Sequence, residues 1–460
     1  MSRQPHAGQT GYWELLAGNR DFRRLFTGQL VSQIGDWFNT VAVFTLVLSL
    51  TGRGESIAYV LILKLLPTFI FGPLAGVAAD RFDRKTIMII ADLLRGLEVL
   101  GFLLVRRPEQ VWIVYLLTGL EVFISAFFDP AKSASIPNIV STTELVSANA
   151  LSGASWSATL AIGAALGGIV TGLLGRNSAF LIDSLSFFVS ASFISFVHIP
   201  RLTDRGKRTA GRPASVARIF GITDLIDGAR YLRANPRVLA LLLVKTGWGM
   251  GGGVLLLLTI YGKEVFPVGR DGSVSIGLLY AARGVGAMIG PFIAQVFARG
   301  STTSMRTAIA VAYFETALFY LLFGHAPGLA FAAAFAVGAH AGGSIQWVYS
   351  TTLLQIVVPD RFRGRVFALD MACLTLTMSL STYFTGWGLD HAGIPVRTLA
   401  TVLGLVFIIP GLAWTYHVWR MSRMKPGLPV QLPDVDGPSS DANLPSDSAK
   451  VGPETSAPPV

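Results

Sequence analysis

Charge is what this 460-residue chain has least of. Only 14% of its residues are Asp, Glu, Lys or Arg, while 52% are hydrophobic. A soluble domain carries about 25% charged residues. A water-soluble core has no use for so much apolar sequence, so the excess faces lipid. Cysteine is nearly absent: Cys373 stands alone in an apolar run. That excludes an intrachain disulfide and a cysteine-built metal site. No Gly-x-x-x-x-Gly-Lys-Ser/Thr loop is present, which speaks against ATP-driven work by this chain. The six histidines form no ligand-spaced pair within an apolar run, and no Gly-x-Ser-x-Gly nucleophile elbow occurs. Neither an enzyme nor a bound cofactor or metal is expected. The first twenty residues are polar and lack an apolar stretch before a small-residue cleavage site, so no signal peptide is expected either.

What is there is apolar sequence in long runs, with 49 glycines spread through it. Small residues let membrane helices approach closely. A helix crosses the ~30 Å hydrocarbon layer with about 20 mostly apolar residues. Windows of that kind fall at 26–50, 56–79, 86–105, 110–130, 149–173, 178–197, 237–262, 274–297, 307–324, 328–357, 367–389 and 396–418. The expected fold is therefore all-α and polytopic, with twelve transmembrane helices. Pro67, Gly72-Pro73, Gly290-Pro291 and Pro410 interrupt some windows, as packed membrane helices tolerate.

The basic residues set the expected orientation. With both termini in the cytoplasm, 26 of the 37 Lys and Arg fall on the inner side and seven on the outer, leaving Lys64, Arg95, Lys245 and Arg283 within spans. This asymmetry is the positive-inside pattern. It accounts for the net charge of +10 without any nucleic-acid partner. The expected organisation is a cytoplasmic segment at 1–25, a six-helix bundle at 26–197, a central cytoplasmic loop at 198–236, a second six-helix bundle at 237–418 and a disordered tail at 419–460. The end of the central loop, from Ile222 to Pro236, reads as an amphipathic helix with Leu225, Ala229 and Leu232 on one face. Gly72-Pro73 in the second span recurs as Gly290-Pro291 in the eighth, each followed by an arginine, Arg81 or Arg299. The shared placement supports two pseudo-symmetric halves.

The stretch Gly76-Val77-Ala78-Ala79-Asp80-Arg81-Phe82-Asp83-Arg84-Lys85 resembles the loop between helices two and three of the major facilitator superfamily. Three further segments resemble its multidrug and siderophore exporter branch, with macrolide-efflux and enterobactin-exporter relatives: Arg20 to Leu25 leading into Ser32-Gln33-Ile34-Gly35-Asp36, Pro130-Ala131-Lys132 with Ile136-Pro137, and Asp360 to Val366. The resemblance covers about residues 15 to 418. It implies alternating access around a central cavity, a monomer in the inner or plasma membrane, and a conformational latch at Gly76, Asp80, Arg81, Arg84 and Lys85. Asp80 can oppose a positive helix end, and the basic residues can pair with carboxylates of the other half or with headgroups. The sequence departs from the pattern in span five, where the run from Gly163 to Gly168 has no proline. Span four has Glu121 where proton-coupled relatives often have an arginine, and the second-half copy of the loop keeps only positive charge. Direction of transport stays open.

Ionisable side chains in hydrocarbon are costly and are read as functional. Asp36 lies about ten residues into span one, ~15 Å deep at 1.5 Å per residue. Glu121 is similarly deep in span four, and Glu315 is midway along span nine. A desolvated carboxylate can take up and release protons near neutral pH, so Asp36, Glu121 and Glu315 are proton-coupling candidates. Arg283 is a counter-charge for Asp36 or Glu121, or an anion site. With Trp37, Phe38, Lys245, Trp248 and Trp347 it is a candidate for lining a substrate cavity, although each aromatic could equally be packing. Asp92, Arg95 and Glu98, spaced i, i+3, i+6, can neutralise one another along one face, with Asp92 and Arg95 coupled to the latch. Asp129 and Asp370 are expected to pair with basic loops. The first reading is a secondary transporter, driven by the proton gradient, that exports amphipathic molecules such as drugs or siderophores. A lipid or lysophospholipid flippase of the same fold, and a transporter-like sensor without transport, are the alternatives.

Overall fold

The computed structural model describes residues 11–199, 222–298 and 301–423, and for 67–70, 72–77, 80–81, 222–225, 296–298 and 360–361 the backbone alone. The tail expected to be disordered lies outside these from residue 424 onward, as does the basic stretch from 200 to 221. No strand occurs among the described residues. That is what lipid demands: without water, every backbone group must be satisfied inside its own segment.

A short α1 (Tyr12–Gly18) precedes six long helices: α2 (Arg20–Thr51), α3 (Gly54–Arg81), α4 (Arg84–Leu100), α5 (Val111–Ile139), α6 (Leu145–Leu174) and α7 (Arg176–Ser195). The surface helix α8 (Ile222–Ala234) follows. Then come α9 (Pro236–Gly249) with α10 (Val254–Ile260), α11 (Ser273–Ala298), α12 (Thr302–Gly324), α13 (Leu329–Val357), α14 (Asp360–Asp390), and α15 (Val396–Val406) with α16 (Ile408–Arg423). Helix occupies each of the twelve apolar windows. Among the described residues ten helical stretches are long and apolar enough to cross a bilayer; α3 and α4 are the two beyond those ten. At 17 residues, α4 is short, and it carries Asp92, Arg95 and Glu98.

Several ends differ from the windows for identifiable reasons. Asn19 starts α2 six residues early, because its side chain accepts the Phe22 N–H at 3.0 Å and donates to the Ile139 carbonyl at 2.8 Å. The helix then runs to Gly52, whose φ of 65° supplies a left-handed stop. Asp83 caps α4 through the Thr86 N–H. The seventh span breaks between α9 and α10 at a glycine-rich stretch, and the twelfth breaks at Phe407. Pro410 has no N–H to offer the Val406 carbonyl, where α15 ends. The two breaks pack together. A Cβ on Gly247 would sit 2.6 Å from Pro410 Cβ, and one on Gly251 would collide with the Phe407 ring.

The amphipathic α8 lies on α14, rotated from the expected face. It buries Gly228 and Leu232 and stacks Tyr231 on Phe362 at 4.4 Å, while Ala229 is exposed. Gly228 is the reason: α14 approaches so closely that a Cβ there would lie 2.8 Å from Leu369.

The glycine run of α6 packs on both halves. Gly163 and Gly167 receive Trp37 and Phe38 of α2, whereas Gly168 meets Gly277 of α11 across the interface, its virtual Cβ 2.9 Å from the Gly277 Cα. Such backbone contact is how small residues join membrane helices. Gly277→Leu is therefore expected to destabilise the protein at or above the upper end of the ~1–3 kcal/mol typical of overpacking, and Gly277→Ala less so. Thermal unfolding in detergent would measure it; an unchanged melting temperature for the leucine variant would refute the close approach.

Polar contacts also join the halves at one end of the bundle. Asp390 accepts the N–H groups of Gly54 (3.1 Å) and Glu55 (2.7 Å), and Lys263 donates to the Leu48 carbonyl at 2.8 Å.

Candidate functional site

Five helices of the first half converge on a buried polar cluster. Asp36 of α2 accepts from Arg95 of α4 at 2.6 Å, and the Arg95 guanidinium lies over the Phe187 ring at 4.1 Å. Glu121 of α5 pairs with Lys64 of α3 at 3.4 Å and accepts from Asn39 at the same distance. Asp92, Glu98 and Asp183 complete the cluster, buried and without an ion-pair partner among the described residues. Five acids thus share two bases, so the cluster is neutral only when it holds three protons. Asp183 lies against Gly35, whose virtual Cβ is 2.5 Å from Asp183 Oδ1. Glycine at that position lets α7 bring its carboxyl up to the residue before Asp36.

A cavity of 380 Å³ opens onto this cluster. Asp36, Lys64, Arg95 and Glu121 line it, together with Trp37 and Trp156, and it reaches Asp129 and Lys132, which pair with each other at 3.0 Å. Of the cluster's two acids that line it, Asp36 is the more open, with its side chain 29% exposed against 7% for Glu121.

A second cavity, of 780 Å³, lies where α6 of the first half faces α9, α11 and α13 of the second. Trp156, Trp248, Trp347, Met288 and His340 make its wall aromatic and soft, and Arg283 projects into it. Trp156 lines both cavities, so the two share a wall. His340 is fixed by the Tyr320 hydroxyl at 2.8 Å.

Residues 14–436 match the family described as transmembrane secretion effector, within the major facilitator superfamily. The chain belongs to the major facilitator superfamily. It is 28% identical to the uncharacterized MFS-type transporter YfiS of Bacillus subtilis, over 86% of this chain and 93% of that one. It is 26% identical to macrolide efflux protein A of Streptococcus pyogenes, over 81% and 90%. Among solved structures, a bacterial homolog of the human lysosomal transporter Spinster, inward-facing and unoccupied, superposes with a TM-score of 0.66 at 14% identity, covering 91% of this chain and all of that one. The nucleoside transporter NupG gives 0.63 at 12%, covering 88% and 99%. The expected fold class is the observed one, and the chain is a multi-pass membrane transporter with efflux-type relatives.

Within this facilitator fold the expected site residues separate. Asp36, Glu121 and Trp37 line the acidic chamber; Trp248, Arg283 and Trp347 line the aromatic one. Phe38 lines neither chamber: it is buried beneath Gly167 in the core, one residue and about 100° of helix turn from Trp37. Lys245, expected in the cavity wall, is buried against Asp370 at 2.5 Å. That contact also corrects the pairing expected of Asp370, which meets a lysine of α9 rather than a basic loop. Glu315 stands apart from the other two acids, at the base of a groove of 520 Å³ between α11, α12 and α13, with its carboxyl on Gly342. Arg95 reaches across to α2 instead of neutralising Asp92 and Glu98 on its own helix, and among the described residues neither Asp92 nor Arg95 has a contact with the loop motif. In that motif Arg84 donates to the carbonyls of Ala79 (3.1 Å) and Ala134 (2.6 Å), within its own half. The side chains of Gly76, Asp80 and Arg81 lie outside the described residues. Lys64, Glu98 and Asp183 were absent from the expected site, yet the rule that selected Asp36, an ionisable group inside an apolar run, applies equally to Leu181-Ile182-Asp183.

Proposed function

We propose that this chain is a secondary active transporter that exports amphipathic small molecules in exchange for protons by alternating access. The observation that carries the reading is the pair of adjacent chambers that share Trp156: one acidic, the other aromatic and set between the halves. The acidic chamber offers carboxyls near the middle of the membrane for protons, and the aromatic chamber offers a binding wall that adapts to varied apolar shapes. Contacts between Asp390, Gly54, Glu55, Lys263 and Leu48 join the halves at one end, while the acidic chamber runs towards Asp129 and Lys132 at the other. With the termini in the cytoplasm, as the basic residues imply, this is the arrangement that loads from inside. Macrolide efflux by a relative similar along most of its length fits an amphipathic cargo.

The test is transport in proteoliposomes with an imposed pH gradient, using fluorescent amphiphiles of both charges. Accumulation that follows the gradient and collapses with a protonophore supports proton exchange. Movement that ignores the gradient, in folded protein, would rule proton coupling out, and lysophospholipid flipping would then be the activity to assay.

A further inference from the structure

Four basic side chains lie within the spans, and three have an acid. Lys64 pairs with Glu121 at 3.4 Å, Arg95 with Asp36 at 2.6 Å and Lys245 with Asp370 at 2.5 Å. Arg283 is the exception. Among the described residues it makes no ion pair and no hydrogen bond; the Trp156 ring lies 5.6 Å from the guanidinium carbon, and the polar groups within its electrostatic reach, Tyr280, Tyr320 and His340, are not acids that balance its charge. A guanidinium keeps its charge in any protein environment and presents five N–H donors in a rigid fork. Setting such a group in hydrocarbon without an anion is costly. The other three bases show that this chain supplies an acid to a cation within its spans. Arg283 also does not sit in packed core: it opens into the 780 Å³ cavity, among Trp156, Trp248 and Trp347.

From this we infer that Arg283 is the anion-recognising residue of the transport site, and that the preferred cargo is an amphipathic anion: an aromatic or otherwise flat apolar body bearing a carboxylate or an acid of similar size. The inference rests on the reading of the two chambers as a transport site. A carboxylate matches the guanidinium fork with two parallel charge-assisted hydrogen bonds. The tryptophan faces take the apolar body, and Trp156 already lies beside the guanidinium. The acidic chamber beyond Trp156 repels the same anion, which keeps it at Arg283 and leaves Asp36 open to protons. Arg283 therefore selects by charge, while the aromatic wall tolerates many shapes.

Binding to the full-length protein, purified in detergent with no gradient present, tests this independently of proton coupling. The probes are pyrene butyrate, its neutral methyl ester and pyrene butylamine, read by energy transfer from tryptophan to pyrene. Wild type is expected to bind the acid at least about tenfold more tightly than the ester or the amine, the worth of one charge-assisted contact. Arg283→Gln should erase the preference for the acid over the ester, and Arg283→Lys should keep most of it. Equal binding of acid and ester by wild type, or a preference for the amine, overturns the assignment, as does an Arg283→Gln protein that still prefers the acid. Should Arg283→Gln not fold, the comparison of acid with ester in wild type decides by itself. A chain that prefers the acid yet moves it without regard to a pH gradient keeps the anion site and loses proton exchange. One that follows the gradient without discriminating charge does the reverse.

Discussion

Lys245→Met is expected to destabilise the protein by about 3–5 kcal/mol, because it strands a buried carboxylate. Lys245 and Asp370 are 2% and 0% exposed and 2.5 Å apart. The ammonium also lies over the rings of Trp347 at 4.8 Å and Phe367 at 5.7 Å, so its surroundings are built for a cation. The Asp370 Oδ1 atom has no partner among the described residues, which leaves lysine as the one group compensating this carboxyl. Removing both charges in Lys245→Met with Asp370→Leu removes the stranded group too, and should recover most of the loss. The pair links α9 to α14, next to the Trp347 wall of the aromatic chamber, so the single variant should also weaken binding there. The sequence supplies its own probe. Cys373 is the sole cysteine, half-buried one turn beyond Asp370 on α14, and its reaction with a thiol dye during heating follows unfolding without engineering. A double variant no more stable than Lys245→Met would show that the pair is not an isolated unit.

That pair also marks the limit of what could be read in advance. Composition and window length placed helix at all twelve positions, because hydropathy over ~20 residues reports on lipid directly. The glycine run of α6 allows close approach, although nothing in it tells that Gly163 and Gly167 take α2 while Gly168 takes α11. Depth in the membrane picked out Asp36 and Glu121, since an ionisable group near the midplane is conspicuous in one dimension. Partners are not. Lys245 and Asp370 are 125 residues apart, and only the packing of α9 on α14 makes them neighbours. Arg95 has acids at helical spacing on either side, and the i, i+3 rule assigned it to them. The packing of the helices around the cluster gives it to Asp36 of α2 instead. Trp37 and Phe38 carry the same chemistry, and their different fates depend on helix rotation, which a short aromatic pair does not encode.

Asp36→Asn is expected to abolish gradient-driven accumulation, lowering it by at least about tenfold, while substrate exchange without a gradient persists. Asp36 is the acid of the cluster most open to the chamber, so among the cluster's acids a proton arriving from that side meets it first. Once protonated, it gives up most of its hold on Arg95, because a neutral acid attracts a guanidinium far less than a carboxylate does. Arg95 does not stay uncompensated in such a place. Asp92 lies one turn away on α4, at a spacing within reach along the same face, and Asp183 adds a further carboxyl from α7. Handing Arg95 from Asp36 to Asp92 would shift α4 relative to α2, which is how a proton could be felt by helices that line the chamber. Asparagine fixes the released state: binding survives, but the proton has nothing to change. Asp36→Glu should retain part of the coupling, since it keeps the acid at the cost of geometry. Asp92→Asn should leave the pair at Asp36 intact and slow turnover, because Arg95 then has one acceptor fewer to move to. Glu121→Gln offers a contrast. Its contacts with Lys64 and Asn39 are longer, at 3.4 Å, and it is less open to the chamber, so it should reduce transport less than Asp36→Asn. Measuring gradient-driven uptake beside gradient-free exchange in the four variants separates these outcomes. Uptake by Asp36→Asn equal to that of wild type would rule out Asp36 as the coupling group, whatever the fate of the others.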